Sequence, residues 1–183
     1  MIVLASSSPR RRELLQQIGV SFRIQVQAVD EAPLPAELPD AYVARLALEK
    51  ARAVAVLNPG EVVLGSDTTG VLDHQILVKP EDEADARRML QAMSGRTHEV
   101  LTAVALVQDA REAVQVVRTE VTFCTLTDEQ IDAYIATGEP ADKAGAYGIQ
   151  GMGAVLVAGI HGSYSNVVGL PLTETAALLR EFR

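Results

Sequence analysis

The segment "IVLASSSPRRRELLQQIG", residues 2–19, decides the fold because it contains a complete strand, turn and helix. Residues 2–5 are predicted to form a short buried strand. Ser8 is a good N-cap and Pro9 suits the first helical position, so the helix is expected to begin there. Apolar residues then recur at helical spacing, and Gly19 is a plausible stop. A strand that leads directly into a helix is the basic unit of α/β folds.

The first turn of this helix contains three consecutive arginines, Arg10, Arg11 and Arg12. Cations are unfavourable at a helix N-terminus, by about 0.3–1 kcal/mol each. The same end offers free backbone N–H groups and Ser8, which together suit an anion, and arginine pairs well with phosphate oxygens. Two interpretations stay open on these residues alone, a phosphate site and three solvated surface arginines.

Length, composition and charge limit the possible functions. With 183 residues, 48% hydrophobic and 22% charged, the chain is predicted to form a single globular domain over residues 1–183. A net charge of −8 argues against nucleic acid or a membrane as partner, so the basic cluster points to a small anion. The single cysteine, Cys124, excludes an internal disulfide. No signal peptide or membrane span is recognisable, and a cytoplasmic location is expected.

Beyond residue 19, strand and helix patterns alternate imperfectly, which predicts an α/β fold with a mixed sheet flanked by helices. Thr127 and Gln130 have the spacing of a capping box. The predicted strands are 22–27, 61–72, 75–80, 98–108, 114–126 and 154–160; the predicted helices are 40–57, 81–95, 127–138 and the C-terminal segment, with a loop at 161–171.

Lys50 lies in the middle of the apolar stripe of the helix predicted at 40–57, whereas Arg45, Glu49 and Arg52 lie on the opposite side. An unpaired buried ammonium is costly, so Lys50 either meets an anion or extends to solvent at the rim. On the helical pattern alone, Lys50→Met is expected to retain or improve thermal stability.

Asp67 interrupts a segment that is otherwise typical of a strand, with Gly65 and Gly70 on either side. Aspartate is rare in strands, so its presence indicates a site or a bend. Lys79 ends the next predicted strand. A turn at 73–74 would bring Asp67 and Lys79 close together, and the two residues are therefore candidates for one site.

Acidic residues suggest a divalent metal ion. Asp30 and Glu31 form an acidic loop, and the scattered histidines, expected to be structural, do not form a metal centre (His74, His98 and His161). Carboxylates near several cations suit Mg²⁺ or Mn²⁺ carried with phosphate. The candidate ligands are Glu31 and Asp67. The sequence contains no P-loop and no GxSxG motif, and the glycines of "GIQGMG" (148–153) do not match a dinucleotide fingerprint.

A set of motifs in order over nearly the whole chain resembles the Maf family of nucleoside triphosphate pyrophosphatases. These motifs are "LASSSPRRRELL" (4–15), "LALEKA" (46–51), "VLGSDT" (63–68), "LVKP" (77–80), "SGRTHEV" (94–100), "DKAGAYGIQG" (142–151) and "GSYSNVVGLP" (162–171). The resemblance implies a twisted mixed sheet with a substrate cleft, related to the inosine-triphosphate pyrophosphatases, and a homodimer. "AGAYGIQG" (144–151) is similar to the branch acting on dTTP and UTP, with modified pyrimidine nucleotides as further candidates.

The resemblance also implies a role for each matching residue. Asp67 would be the base that activates water for attack on the α-phosphorus. Three positions would set specificity, Arg10, Thr68 and Gln150. Others would line the substrate cleft beside the turn serine Ser8: Arg11, Glu31, Lys50 and Lys79. The family has also been associated with arrest of septum formation, so a nucleotide-binding inhibitor of cell division with incidental hydrolysis is the alternative function.

Overall fold

Seven strands and six α-helices account for most of the chain, and the computed structural model describes residues 1–183. The strands are β1 (Ile2–Leu4), β2 (Phe22–Ile24), β3 (Val63–Leu72), β4 (Gln75–Leu77), β5 (Thr97–Gln108), β6 (Arg111–Phe123) and β7 (Val157–His161). The helices are α1 (Pro9–Gln17), α2 (Pro39–Ala55), α3 (Glu83–Met93), α4 (Asp128–Ala136), α5 (Tyr164–Val168) and α6 (Leu172–Glu181). Short 3₁₀ helices lie at Glu139–Asp142, Ala144–Ala146 and Met152–Leu156. None of the helices combines the length and apolar character that a membrane span requires.

The strands form one mixed sheet in the order β2-β1-β3-β5-β6-β7, with β4 beside β3. β1 is parallel to both β2 and β3, and every other pairing is antiparallel. The predicted α/β class with a mixed sheet flanked by helices is confirmed.

Residue alternation along β3 and β5 separates the core into clusters on two faces of the sheet. On one face, Val63 and Val71 pack with the apolar side of α2. On the other, Leu64 belongs to a cluster with α1 and α6, and Leu72 to one with α3 and α4. Between these two clusters, β3 carries the polar Thr68. Thr68 is the one residue of β3 that is only partly buried, so the centre of the strand is its most accessible part.

A gap in strand pairing opens the same part of β3 along its edge. β1 pairs with β3 only at residues 63–64, and β4 only at 70–72, whereas β5 pairs along nearly the whole strand. Residues 65–69 therefore have a strand on one side only. Ligand sites in α/β proteins commonly lie beyond the carboxyl ends of parallel strands, at such a change of partner.

Gly65 allows α2 to lie unusually close to β3. A Cβ atom at this position would clash with the carbonyl oxygen of Ala47 and lie 2.9 Å from the backbone nitrogen of Ala51. Both obstacles are backbone atoms of α2, so the helix itself would have to move. Since Lys50 lies between these two residues, the glycine also fixes how far Lys50 is from the strand.

We expect Gly65→Ala to lower the free energy of unfolding by about 1–3 kcal/mol, the usual cost of overpacking a core. Gly159→Ala is the matched control, because Gly159 is also in a strand but has open space where a Cβ would lie. Chemical denaturation of both variants measures the difference. Equal stability of the two variants would show that α2 can move away from β3 at no cost.

Several predicted boundaries were wrong. The strand predicted at 75–80 ends at Leu77, before Lys79, and the one predicted at 114–126 runs from Arg111 to Phe123. Two others were wrong for identifiable reasons. The strand predicted at 22–27 ends at Ile24, because its partner β1 ends at Leu4, where the chain turns towards α1. The helix predicted at 40–57 begins at Pro39, which occupies its first turn. Proline is favoured there because its missing N–H is not needed.

Predictions for the C-terminal third also needed correction. The strand predicted at 154–160 is a 3₁₀ helix as far as Leu156 and becomes a strand only from Val157. The predicted loop at 161–171 contains α5, whose N-cap is the Ser163 side chain. An apolar run of this length does not by itself distinguish a strand from a short helix. The capping box of α4, in contrast, is confirmed by both of its hydrogen bonds.

Candidate functional site

A cavity of about 900 Å³ lies against the central part of β3. This volume is within the range of ligand-binding clefts. Every predicted site residue lines it: Ser8, Arg10, Arg11, Glu31, Lys50, Asp67, Thr68, Lys79 and Gln150. The structure thus brings together residues from the first turn of α1, the loop before α2, α2 itself, β3, the segment after β4, and the glycine-rich segment. Their chemical roles follow from their contacts.

The cavity concentrates positive charge in an acidic protein. Its lining contains five lysine or arginine side chains and three carboxylates, although the chain as a whole has a net charge of −8. Arg10 and Arg11 contribute two of these cations, whereas Arg12 is exposed and lies outside the cavity. An excess of cations in a cleft attracts and holds anionic ligands. The basic helix start is therefore directed at the cavity.

Asp67, Lys50 and Glu31 form the central group of the site. The Nζ atom of Lys50 lies 2.8 Å from Oδ1 of Asp67 and 2.5 Å from Oε1 of Glu31. Asp67 is buried, with 8% of its surface exposed. Of the two possibilities for Lys50, contact with an anion is confirmed, and the anions are two carboxylates. The Lys50 contact engages Oδ1 of Asp67.

Burial raises the pKa of Asp67 above its ordinary value, although the positive charges of Lys50 and Arg11 oppose the shift. The pKa of Glu31 is lowered, chiefly by its hydrogen bond to Lys50. Neighbouring carboxylates whose pKa values move in opposite directions are a common arrangement in acid–base catalysis. Asp67 is the carboxylate of this pair that is suited to accept a proton.

Arg11 is held by the protein rather than free in solvent. Its Nε donates to the carbonyl oxygen of Gly169 at 2.8 Å, and its two terminal nitrogens donate to Ser6 and Thr68 at 3.3 and 3.1 Å. A guanidinium has five N–H groups, so donors remain for a ligand. The partly buried Arg11 is therefore fixed in direction, and the unfavourable helix dipole is offset by these contacts.

Sequence reasoning missed the residues that hold Arg11 and Thr68 in place. The Thr68 hydroxyl lies 2.8 Å from that of Thr102, which donates to the carbonyl oxygen of Asn166 at 2.9 Å. The side-chain Nδ2 of Asn166 in turn donates to the carbonyl oxygen of Val100 and the hydroxyl of Thr119, and so ties α5 to β5 and β6. Asn166 lies in the motif at 162–171, so the sequence did mark this segment. The sequence alone did not show that this asparagine is fully buried.

Tyr42 is a second residue that the sequence did not reveal. Its hydroxyl donates to the backbone carbonyl oxygen of Glu31 at 2.7 Å and so fixes the loop before α2. Burial, reinforced by the charges of Asp67 and Glu31, raises the pKa of Tyr42 to about 12, so the hydroxyl keeps its proton. On sequence alone, Tyr42 reads as one more apolar residue of α2.

His98 and Tyr147, which also line the cavity, form a buried pair. Nε2 of His98 lies 2.6 Å from the Tyr147 hydroxyl, and both rings pack edge-on against Phe123. Burial lowers the pKa of His98 to about 4, so the ring is neutral at neutral pH. His98 packs as a core residue, as expected from the sequence.

The residues present fit a divalent cation that arrives with phosphate, but not a preformed metal cage. No group of three His, Cys, Asp or Glu side chains converges anywhere in the protein. Glu31 and Asp67 do converge, since both contact the Lys50 ammonium. Mg²⁺ is commonly bound through one or two carboxylates together with substrate phosphates. Two carboxylates beside a cationic cleft match that pattern.

The chain is similar to known proteins over nearly its whole length. The sequence profile "Maf-like protein" matches residues 1–182. A protein of Symbiobacterium thermophilum named dTTP/UTP pyrophosphatase is 55% identical, over 99% of this chain and 93% of its own length. A protein of Anaeromyxobacter dehalogenans with the same name is 57% identical, over 98% and 92%.

A solved structure supports the fold independently. A HAM1 protein from Coxiella burnetii matches with a TM-score of 0.58 over 98% of each chain, although only 16% of the residues are identical. At this identity the likeness concerns the fold alone. The profile match over nearly the whole chain and the high identity to full-length relatives establish that this chain belongs to the Maf family.

Proposed function

We propose that this protein is a nucleoside triphosphate pyrophosphatase that cleaves dTTP and UTP to the monophosphate and pyrophosphate. The observation that carries the proposal is the buried Asp67 carboxylate, whose pKa is raised, in a cavity lined by an excess of cations. The choice of dTTP and UTP as substrates follows the name of the family relatives, dTTP/UTP pyrophosphatase. The cytoplasmic location and the homodimer predicted from the sequence remain predictions.

In this proposal, Asp67 takes a proton from a water molecule that attacks the α-phosphorus. A base works best when its pKa is near the operating pH, and burial moves Asp67 in that direction. Lys50 keeps the carboxylate ionised and in place through its contact with Oδ1. Cleavage at the α-phosphorus places negative charge on the departing pyrophosphate, which the cations of the cleft stabilise.

The cations lie in separate groups, and each group would bind a different part of the triphosphate. Ser8, Arg10 and Arg11 lie at the start of α1, where free backbone N–H groups also favour phosphate. Lys79 follows β4, which pairs with the C-terminal end of β3, whereas α1 follows β1, which pairs with the N-terminal end. Glu31 and Asp67 would hold a Mg²⁺ or Mn²⁺ ion bound with the substrate. Such an ion supplies charge neutralisation and orientation of the phosphate oxygens.

The geometry favours an enzyme over a nucleotide-binding inhibitor of septum formation. A protein that only binds a nucleotide has no need of a general base beside its phosphates. A hydrolase needs such a group. Asp67 is held at that place by Lys50 and by its strand, at the cost of burying a charge.

A panel of nucleotides tests the proposal. Purified protein is incubated with Mg²⁺ or Mn²⁺ and each of dTTP, UTP, CTP, ATP and GTP, and release of pyrophosphate and of orthophosphate is measured separately. Pyrophosphate release that is fastest with dTTP and UTP is expected. Release of orthophosphate in its place would mean attack at the γ-phosphorus, and binding without release would favour the inhibitor.

A further inference from the structure

The glycine-rich segment 148–153, hereafter the Gln150 loop, is wrapped around a single carboxylate. Oε2 of Glu139 accepts from the backbone N–H of Met152 at 2.9 Å, and Oε1 accepts from that of Gly153 at 3.1 Å. Glu139 lies in the first 3₁₀ helix after α4 and does not line the cavity. Neither the motif comparison nor the mechanism above uses it. Gln150, in contrast, is exposed and lines the cavity.

Tyr134 of α4 contacts both Glu139 and the Gln150 loop. Its hydroxyl donates to Oε1 of Glu139 at 2.8 Å and accepts from the backbone N–H of Gly148 at 3.0 Å. The two side chains therefore bind three backbone N–H groups, one before Gln150 and two after it. Because Gln150 is exposed, the position of its side chain depends on this backbone.

The loop has no space to shift towards the carboxylate. A Cβ atom on Gly151 would clash with Oε2 of Glu139 and lie 2.6 Å from its Cδ atom. A side chain on Gly151 would therefore displace the Glu139 carboxylate from its hydrogen bonds. Hydrogen bonds from Tyr134, Met152 and Gly153 outweigh the effect of burial and lower the pKa of Glu139. The carboxylate is ionised at neutral pH.

We propose that Glu139, together with Tyr134, is a positioning residue for nucleotide selectivity: it holds the Gln150 loop so that Gln150 faces the base of the substrate. This inference rests on the proposed function, and in particular on Gln150 as a specificity position. Ionised carboxylates form stronger hydrogen bonds with backbone N–H groups than neutral acceptors do, so a single residue can order the whole loop.

Two variants remove the contacts without changing side-chain volume greatly. Glu139→Gln replaces one acceptor oxygen by an NH₂ group, which faces a backbone N–H or the Tyr134 hydroxyl. Tyr134→Phe removes the hydroxyl shared by Glu139 and Gly148. Glu129→Gln is the matched control, because Glu129 is an exposed glutamate in the first turn of α4, away from the loop.

In both variants we expect the ratio of kcat/KM for UTP to that for CTP to fall about tenfold, the effect of losing one or two ordinary hydrogen bonds. The change should come mainly from KM for UTP, because Asp67 and Lys50 are untouched. Amide hydrogen exchange at Met152 and Gly153 should become faster. Glu129→Gln should change none of these quantities.

A double-mutant cycle shows whether Glu139 acts through Gln150. Gln150→Ala alone should lower the UTP/CTP ratio, and adding Glu139→Gln should lower it no further. Additive effects, or an unchanged ratio in Glu139→Gln, would overturn the inference. If the wild-type protein releases no pyrophosphate from any nucleotide, the proposed function fails. Unchanged amide exchange in Glu139→Gln would instead refute the positioning of the loop by Glu139.

Discussion

Asp67→Asn should lower kcat by about 100- to 10,000-fold, far more than it raises KM, because removal of a general base typically has an effect of that size. The asparagine keeps the shape of the side chain but cannot accept the proton of the attacking water. The cations that bind the triphosphate remain, and Lys50 keeps its contact with Glu31. Turnover and nucleotide binding should therefore separate in this variant.

Stability should change in the opposite direction to activity. Burial raises the pKa of Asp67 in the folded protein, so the folded state holds this proton more tightly than the unfolded state does. The resulting stability is present below the ordinary pKa and is lost as the pH rises through the raised value. At neutral pH the wild-type protein carries a buried charge that asparagine lacks. Because Lys50 keeps Glu31 as its counter-ion, Asp67→Asn leaves no charge unpaired. The variant should therefore have a higher Tm than wild type at pH 7, and the difference should shrink as the pH falls towards about 4.

Steady-state kinetics with UTP and thermal melting across this pH range measure both effects. Asp30→Asn is the matched control, since Asp30 is exposed and its side chain only accepts from the Ala32 backbone N–H. The control should leave kcat and the pH dependence of Tm unchanged. A near-normal kcat in Asp67→Asn would remove Asp67 from the mechanism.

The N-terminal unit could be predicted because its signals are local. Ser8 accepts from the backbone N–H of Arg11, Pro9 begins α1, and Gly19 adopts a positive φ just beyond the helix. Each of these preferences acts within a few residues of sequence. The end of β2, by contrast, depends on how long β1 remains beside it, which is a tertiary property.

The lining of the cavity could also be predicted, mainly because charged residues stood where the local pattern had no use for them. Lys50 in an apolar stripe and Asp67 in a strand are two such conflicts, and functional sites are where conflicts of this kind are expected. Residues that agree with their local pattern gave no such signal. Tyr42 fits an amphipathic helix and Glu139 fits a polar loop, so only the three-dimensional contacts reveal what they hold.

Lys50→Met is the second substitution with a large expected effect. We expect kcat/KM to fall by about 100- to 1,000-fold, the usual effect of removing one group that stabilises charge in the transition state. Lys50 also opposes the rise in the pKa of Asp67, through both its charge and its hydrogen bond. Without it the pKa of Asp67 rises further, so the acid limb of the pH–rate profile should move to higher pH.

Lys50→Arg is the control for charge. It keeps a cation beside Asp67, so the acid limb should stay near its wild-type position even if altered geometry lowers the rate. The pH dependence of kcat/KM for UTP in wild type, Lys50→Met and Lys50→Arg distinguishes the two effects. An acid limb that does not move in Lys50→Met would mean that Asp67 is not the base.

The ion pairs of Lys50 reverse the effect on stability that the helical pattern alone predicts for Lys50→Met. That pattern favours methionine at position 50, because a charge leaves an apolar stripe. In the structure, however, Lys50 is the cation that Glu31 and the buried Asp67 both contact, and its loss leaves two carboxylates facing each other. Breaking a buried pair by removing one partner typically costs about 3–5 kcal/mol. Lys50→Met should therefore melt below wild type at pH 7. The deficit should diminish in acid, where protonation removes the repulsion; a Tm equal to that of wild type at pH 7 would show that the apolar stripe outweighs the ion pairs.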